Sequence, residues 1–336
     1  MLSNIWNNLF PKSPSRIICP YCLSEVPKIS HCTNSECGRE IPILYAQRYQ
    51  EVLPLFTQIM GWSQVGKTVY LQSLTRMLRS ITRIWPECVA APDSEPTLQF
   101  IRAVNGYVEG GSLPPPTPMG LQDAYIMLLP NMPRWGGRTV VVRDCAGEIF
   151  DGLTIPIEQA PYLLHVPTTF FIVSIPDLRT VEGRKKELDQ LLSTYISTMT
   201  KHGVEFKSSK RSIVVIFSKA DELIAELPQK LVRYLENDEI LEATKSRGPV
   251  TEMNHDAMAN YMAQMREINE DIKDWITSDD AGFRLLSLAK DYSIELRFSL
   301  ISSLGSKPDE NNHLATGWQP RRVLDPYFWA LDFQSK

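Results

Sequence analysis

The sequence predicts an α/β fold, a three-layer sandwich on a mostly parallel sheet, preceded by a small metal-held unit. Three observations carry that prediction. From Glu51 onward, short apolar runs of strand length alternate with segments whose apolar residues recur at helical spacing, the pattern of parallel strands linked by crossover helices. Four of the six cysteines crowd between residues 19 and 37. The 336 residues, 43% of them hydrophobic, suffice for one large domain or two modest ones.

Charge and hydropathy narrow the function classes. Lysine plus arginine number 35 and aspartate plus glutamate 39, a formal net charge of -4, so no overall basic field indicates nucleic acid as a partner. The longest central apolar run, Thr168 to Leu178, is about half the length a bilayer needs and contains Pro176, so no transmembrane segment is expected. Residues 1–14 carry Leu2, Ile5, Trp6, Leu9 and Phe10 at helical spacing but lack the apolar stretch and cleavage site of a signal peptide. That amphipathic segment has two readings, a short helix packed on its own protein and one that touches a membrane or partner. A cytoplasmic location is expected.

Residues 15–45 hold the pattern C-x2-C-x9-C-x4-C, formed by Cys19, Cys22, Cys32 and Cys37. Two cysteine pairs on short knuckles can place four thiolates on one tetrahedral zinc ion, which compensates for the core so short a segment cannot build. Without a secretion signal the disulfide reading is weak. His31 could replace a cysteine, but a surface histidine is the simpler reading. A closed four-thiolate site has no open position, so the zinc is expected to be structural, in a zinc ribbon.

Residues 51–336 are expected to form the α/β domain. LPLFTQIM (Leu53 to Met60) reads as a strand running into GWSQVGKT, and Leu71, Leu74, Leu78 and Ile81 then mark a helix. AYIMLLP and RTVVVRD form an expected strand pair around the turn RWGG, with FFIVSIPD the next strand. Leu188 to Met199 has helical periodicity, SIVVIFSKAD is another buried strand, and SIELRFSLISSLG is the last. A charged helical insertion is expected at about 222–290, and residues 102–120 read as a Gly- and Pro-rich loop.

Gly61-x4-Gly66-Lys67-Thr68 satisfies the phosphate-loop pattern between a strand and a helix. Glycines let backbone N–H groups turn inward around phosphates, and the helix N-terminus adds positive potential. Lys67 is expected to neutralise the terminal phosphates and Thr68 to ligate magnesium; Ser63, Gln64, Val65 and Val69 complete the nucleotide-facing set. Two further segments bear on which nucleotide it is. Asp144-Cys145-Ala146-Gly147-Glu148 ends a strand with a carboxylate able to hold magnesium through a water, and the Gly147 N–H can meet a γ-phosphate. Ser218-Lys219-Ala220-Asp221 ends another, and its aspartate can accept both the ring N–H and the exocyclic amine of guanine, a donor pair adenine lacks. Each motif alone is common; in this order, each at a strand's carboxyl end, they reinforce one another.

Together these segments resemble the Ras-like P-loop GTPases. GWSQVGKT is similar to the first signature of that family, DCAGE to the third (usually D-x-x-G-Q), SKAD to the fourth (usually N-K-x-D or T-K-x-D), and Ser302-Ser303-Leu304 to the fifth (usually S-A-K). The resemblance implies a P-loop NTPase fold, GTP and GDP as ligands with Mg2+, hydrolysis of GTP to GDP and phosphate, and support of the guanine carbonyl by Ser302 and Ser303. The cysteine knuckles joined to this domain, with the closing stretch RRVLDPYFWAL, further resemble the double-GTPase families of bacterial conflict systems. That implies a defence-type multiprotein system, with protein partners held through the ribbon or the helical insertion.

The sequence departs from the family pattern at informative places. Ser218 stands for the usual Asn or Thr. Glu148 occupies the position of a water-orienting glutamine, so slow hydrolysis and a nucleotide-bound scaffold with little turnover are both open readings; an ATP-dependent enzyme is a third, disfavoured by SKAD. Thr117, in LPPPTPMG, is the candidate for the second signature's magnesium ligand, an ordinary Pro-rich loop being the alternative. Arg134 and Arg143 read either as internal charge stabilisers or as structural pairs. Cys145 has no histidine nearby in sequence to activate it, and Trp62 either covers the nucleotide, docks a partner or packs on the adjacent helix.

Overall fold

The computed structural model describes residues 16–28, 30–110, 123–145, 147, 155, 161–179, 188–245, 253, 255–310, 313–314 and 317–335. The amphipathic segment 1–14, Thr117 and Glu148 lie outside the described residues.

The ribbon begins with the antiparallel pair β1 (Arg16–Ile18) and β2 (Glu25–Pro27), followed by the short helix α1 (Ile43–Arg48). The main sheet contains β3 (Leu53–Met60), β4 (Ala91–Pro92), β5 (Tyr125–Met132), β6 (Gly136–Asp144), β7 (Thr168–Ser174), β8 (Ser212–Ser218) and β9 (Glu295–Leu300). Their spatial order is β4-β5-β6-β3-β7-β8-β9. From β6 to β9 every pairing is parallel, while β4–β5 and β5–β6 are antiparallel. This is an α/β architecture with a mostly parallel sheet.

Burial explains why the strands read as continuous apolar runs. Six consecutive residues of β3, all seven of β7 and six of β8 are buried, as expected where both faces of a sheet are covered. Later strands fall on one side of β3 and the β5–β6 hairpin on the other, so strand order reverses at β3 and leaves a crevice beyond the carboxyl ends. Register then delivers the motifs: Ile59 pairs with Asp144, and Phe217 with Leu300.

The helices are α2 (Lys67–Ser80), α3 (Glu95–Gly110), α4 (Ile175–Arg179), α5 (Leu188–Lys201), α6 (Gln229–Glu236), α7 (Glu239–Lys245), α8 (His255–Ile276), α9 (Asp280–Asp291) and α10 (Asp325–Gln334). The described residues between β8 and β9 are mostly helical, running through α6 to α9. The closing helix α10 packs on β3, β8 and β9, and its Trp329 indole donates to the Phe298 carbonyl at 3.2 Å. A buried polar knot fastens it to the helices before β9. Asp325 accepts from the Tyr234 and Tyr261 hydroxyls at 2.6 and 2.5 Å, and the Arg322 guanidinium lies 3.7 Å from the Tyr234 ring centre. Burial raises the Asp325 carboxyl to about 6 even though Arg322 and the two tyrosines pull it down.

The sheet's second face is partly covered by the ribbon. Ile17, Val26, Ile41 and Tyr45 form one apolar cluster with Phe56, Ala124, Ile126 and Val141, whereas Leu55, Tyr125, Val140 and Val142 belong to the main core. Successive strand residues face opposite ways, so β6 separates the two cores residue by residue. Among the described residues no helix is long and apolar enough to cross a membrane.

Three sequence expectations need correction. The loop expected over 102–120 is helical as far as Gly110, the end of α3, because apolar residues such as Ile101 and Val104 recur at helical spacing and are buried. The strand expected over FFIVSIPD ends at Ser174, and Pro176 and Asp177 lie in α4; proline supplies no N–H to a sheet ladder but suits a first helical turn. The two-residue edge strand β4 had no recognisable pattern in so short a stretch and was not expected.

Candidate nucleotide site and cysteine cluster

The loop between β3 and α2 is built from unusual backbone. Gly61, Gln64 and Gly66 have φ of 156°, 65° and 94°. A Cβ on Gly61 would stand 2.4 Å from the Ile172 carbonyl oxygen, so only glycine fits against β7. Gly66 is the N-cap of α2, so the helix opens at the loop with the positive end of its dipole. Lys67 is buried and its Nζ donates to the Gly61 and Trp62 carbonyls at 3.0 and 2.8 Å, so the ammonium is folded across the loop it follows.

The third motif meets this loop edge on. Thr68 Oγ1 donates to Asp144 Oδ2 at 3.1 Å. That separation matches neighbouring vertices of an octahedron with bonds of about 2.1 Å, so the two oxygens suit a magnesium ion. A Cβ on Gly147 would come within 2.4 Å of the Ser63 nitrogen, so Gly147 lies directly on the loop between β3 and α2.

Side chains of the later motifs brace the loop from the opposite direction. Ser218 Oγ lies 2.8 Å from the Val65 carbonyl and 3.2 Å from that of Val173 and donates within this pair, tying β8 to the loop. A short hydroxyl therefore suffices at the position usually held by Asn or Thr. Lys219 adopts φ 56° and turns the chain so that the Ala220 N–H reaches the Ile301 carbonyl at 3.3 Å, joining the fourth segment to the fifth. Ser73 Oγ on α2 donates to the Ser303 carbonyl at 2.6 Å.

The outcome is a cleft of about 200 Å³ walled by Gln64, Val65, Gly66 and Val69 from the loop, Ser218, Lys219 and Asp221 from the fourth segment, and Ser303 from the fifth. Gly61, Ser63, Lys67, Thr68, Asp144 and Gly147 form the adjoining loop and its edge, and Ser302 is buried behind, with its Oγ accepting from the Gly305 N–H at 2.8 Å. Leu304 of the fifth segment also lines the cleft, as do Glu222, Ser306 and Pro308, which were not expected from the sequence. Their nearness in sequence to the fourth and fifth segments was the available signal.

Other candidates resolve differently. Trp62 is 4% exposed inside the main core, which agrees with packing and leaves it unable to cover a ligand from outside. Arg134 pairs with Asp332 on α10 at 3.4 Å. Arg143 reaches the other way, donating to the Tyr21 carbonyl in the ribbon, with its guanidinium 4.6 Å from the Tyr162 ring centre. Neither pairing places an arginine in the loop. Cys145 is buried, and burial pushes its thiol up to about 12 despite the Tyr162 hydroxyl 2.5 Å away, so it stays protonated and is a poor nucleophile.

The four ribbon cysteines form the second site. Their sulfur atoms all lie within 4.8 Å of one another, with Cys19–Cys37 at 4.0 Å and Cys22–Cys32 at 3.6 Å. Zinc–sulfur bonds of about 2.3 Å put tetrahedral sulfurs about 3.8 Å apart, so the cluster fits zinc closely. His31 is exposed and bonded to Ser30 Oγ, outside the cluster.

No protein-family model and no curated protein matches this chain. Among solved structures it is similar to the Saccharomyces cerevisiae Ski7 GTPase-like domain bound to GDP and inorganic phosphate, at 10% identity and a TM-score of 0.34 over 88% of this chain and 53% of that one. A chain of the signal recognition particle receptor SRb-GTP/SRX complex from Chaetomium thermophilum is 12% identical with a TM-score of 0.35, over 76% of this chain and 94% of its own. Methanosarcina barkeri Roco2 RocCORdC bound to GDP is 10% identical with a TM-score of 0.30, over 85% and 49%. The chain thus spans about half the length of the first and third of these.

Proposed function

We propose that the protein binds guanine nucleotide in the cleft at the carboxyl edge of its sheet and acts as a slowly hydrolysing GTP switch. The observation that carries this reading is the convergence of three remote segments, residues 64–69, 218–221 and 303, on one cleft with an acidic side chain at its far wall. A phosphate cradle needs only the first segment; a carboxylate facing the base favours guanine, whose two adjacent N–H donors it can accept.

In this reading the N–H groups at the start of α2 hold the phosphates, and Lys67 exchanges its loop carbonyls for terminal phosphate oxygens. Thr68 and Asp144 would hold magnesium, which when bound neutralises charge on the phosphates. Water attacks the γ-phosphorus in line, the bond to the β-bridging oxygen breaks, and GDP and phosphate result. Turnover is slow because Glu148 stands in the glutamine position. Gly147 rests on Ser63, so a γ-phosphate N–H contact there would tie the third segment to the ligand and release it after hydrolysis.

The ribbon and the helices between β8 and β9 would offer surfaces to protein partners. The resemblance to double-GTPase families supports a cytoplasmic, bacterial multiprotein defence system as the setting. The test is competition of GDP against ADP, with magnesium, for the wild-type chain and for Asp221→Ala. Preference for GDP that collapses in the variant supports the reading; equal affinity for both nucleotides in the wild type contradicts it.

A further inference from the structure

We propose that the cleft between α2 and α3 is a second anion site, one that takes a small ligand bearing two or more phosphate groups. Arg76, Arg79 and Arg83 stand three and four residues apart along the end of α2 and the turn after it, which puts them on one face. All three line a single cleft of about 270 Å³, together with Thr75, Ser80 and Asn105, and no acidic residue is among its described lining.

Each guanidinium is aimed by one neutral acceptor from a different part of the chain. Arg76 donates to the Trp318 carbonyl at 3.1 Å, Arg79 to Asn105 Oδ1 at 3.2 Å and Arg83 to the Thr244 carbonyl at 2.7 Å. A guanidinium has five N–H donors, so each retains several, and the Asn105 amide nitrogen adds more. Several other arginines have carboxylate partners, as in Arg16–Glu25, Arg39–Asp123, Arg284–Asp189 and Arg297–Glu295, while Arg211 rests on backbone carbonyls but does so inside the fold, where it is buried. Among the described residues none of the three cleft arginines has a carboxylate partner.

Arginines at a helix C-terminus also answer the helix dipole, but that end carries only about half a negative charge, against three positive ones. The excess is what a multivalent anion neutralises, through charge-assisted, partly bidentate hydrogen bonds. Arg76 is half buried, and desolvation lowers its pKa, as expected for a cation held without a counter-charge. The concavity and the net charge of -4 favour a compact phosphorylated molecule over an extended nucleic-acid backbone. A soluble polyphosphate and a phosphorylated lipid headgroup share that chemistry.

The test titrates inorganic tripolyphosphate, without magnesium, into the full chain, the Lys67→Ala variant and the Arg79→Ala/Arg83→Ala variant. Arg79 and Arg83 are exposed, so their loss leaves the core intact; melting curves check this, and Arg79→Gln/Arg83→Gln replaces a variant that melts early. The expected result is saturable binding that survives Lys67→Ala and weakens about tenfold or more in the double arginine variant, one charged contact's worth or more. A parallel flotation with phosphatidylcholine vesicles, with and without phosphatidylinositol bisphosphate, separates the sources. Arginine-dependent flotation assigns a lipid headgroup, and arginine-dependent titration alone assigns a soluble ligand. Binding that vanishes in Lys67→Ala yet persists without the arginines belongs to the phosphate loop and overturns the proposal. So does the absence of arginine-dependent binding to either probe.

Discussion

The cysteine cluster draws its four sulfurs from a segment that opens at residue 19 and closes at residue 37, whereas the proposed nucleotide cleft draws its walls from residues as distant as Gln64 and Ser303. The first needs only two local knuckles and an ion. The second needs the whole sheet, because its parts meet only when β3, β8 and β9 are in register. A local site can therefore melt alone, and a topological one fails only with the fold or by losing a specific contact.

The two regions nonetheless touch through adjacent residues. On β6, Asp144 faces Thr68 and the phosphate loop, while Arg143 faces Tyr21, which lies between Cys19 and Cys22. Strand alternation makes one residue step the whole distance between them. The ribbon is thus part of the sheet's covering.

The largest effect expected from breaking this comparison is on the ribbon. Cys19→Ser/Cys22→Ser, or strong chelation, should release the zinc and unfold residues 16–45, since structural zinc in small fingers contributes on the order of 10 kcal/mol. Limited proteolysis should then cut first in the ribbon while the sheet domain persists; one cooperative melt of the whole chain would make the ribbon inseparable from the core. Next in size, Lys67→Ala should weaken nucleotide binding on the order of a hundredfold, the loss of a charged contact of about 3 kcal/mol. Filter binding should register this with no change in zinc content.

Smaller effects sharpen the link between the regions. Asp221→Ala should cut the preference for guanine over adenine about tenfold or more, a charged hydrogen bond of about 1.5 to 3 kcal/mol, while phosphate contacts persist. Arg143→Met, which keeps an apolar stem but loses the Tyr21 contact, should weaken nucleotide binding a few-fold, about 0.5 to 1 kcal/mol. An Arg143→Met chain with wild-type nucleotide affinity and wild-type ribbon protection would remove the link altogether.

How legible each region was in the sequence follows the same division. Strand β3 could be read to its ends because both faces are buried and an apolar run shows it, and the cysteine spacing named its own ligands. The loop's glycines were equally plain, since their backbone angles exclude other residues. What stayed hidden depended on contacts across the chain. In β6 three consecutive valines all read as core, so Val141, on the ribbon face with Arg143, could not be told from Val140 and Val142. Ser218 read as a weakened motif, and only its contact with Val65 reveals a brace. The spacing of Arg76, Arg79 and Arg83 was visible, but the carbonyls of Trp318 and Thr244 that aim two of them come from far along the chain.

The central claim, that a guanine nucleotide occupies the carboxyl edge of the sheet, is tested most directly by mass identification of what the natively purified chain releases on denaturation, with Lys67→Ala purified in parallel. GDP or GTP from the wild type, at near one per chain, and little from the variant is the predicted result. Adenine nucleotide alone, or equal guanine nucleotide from both chains, would contradict it.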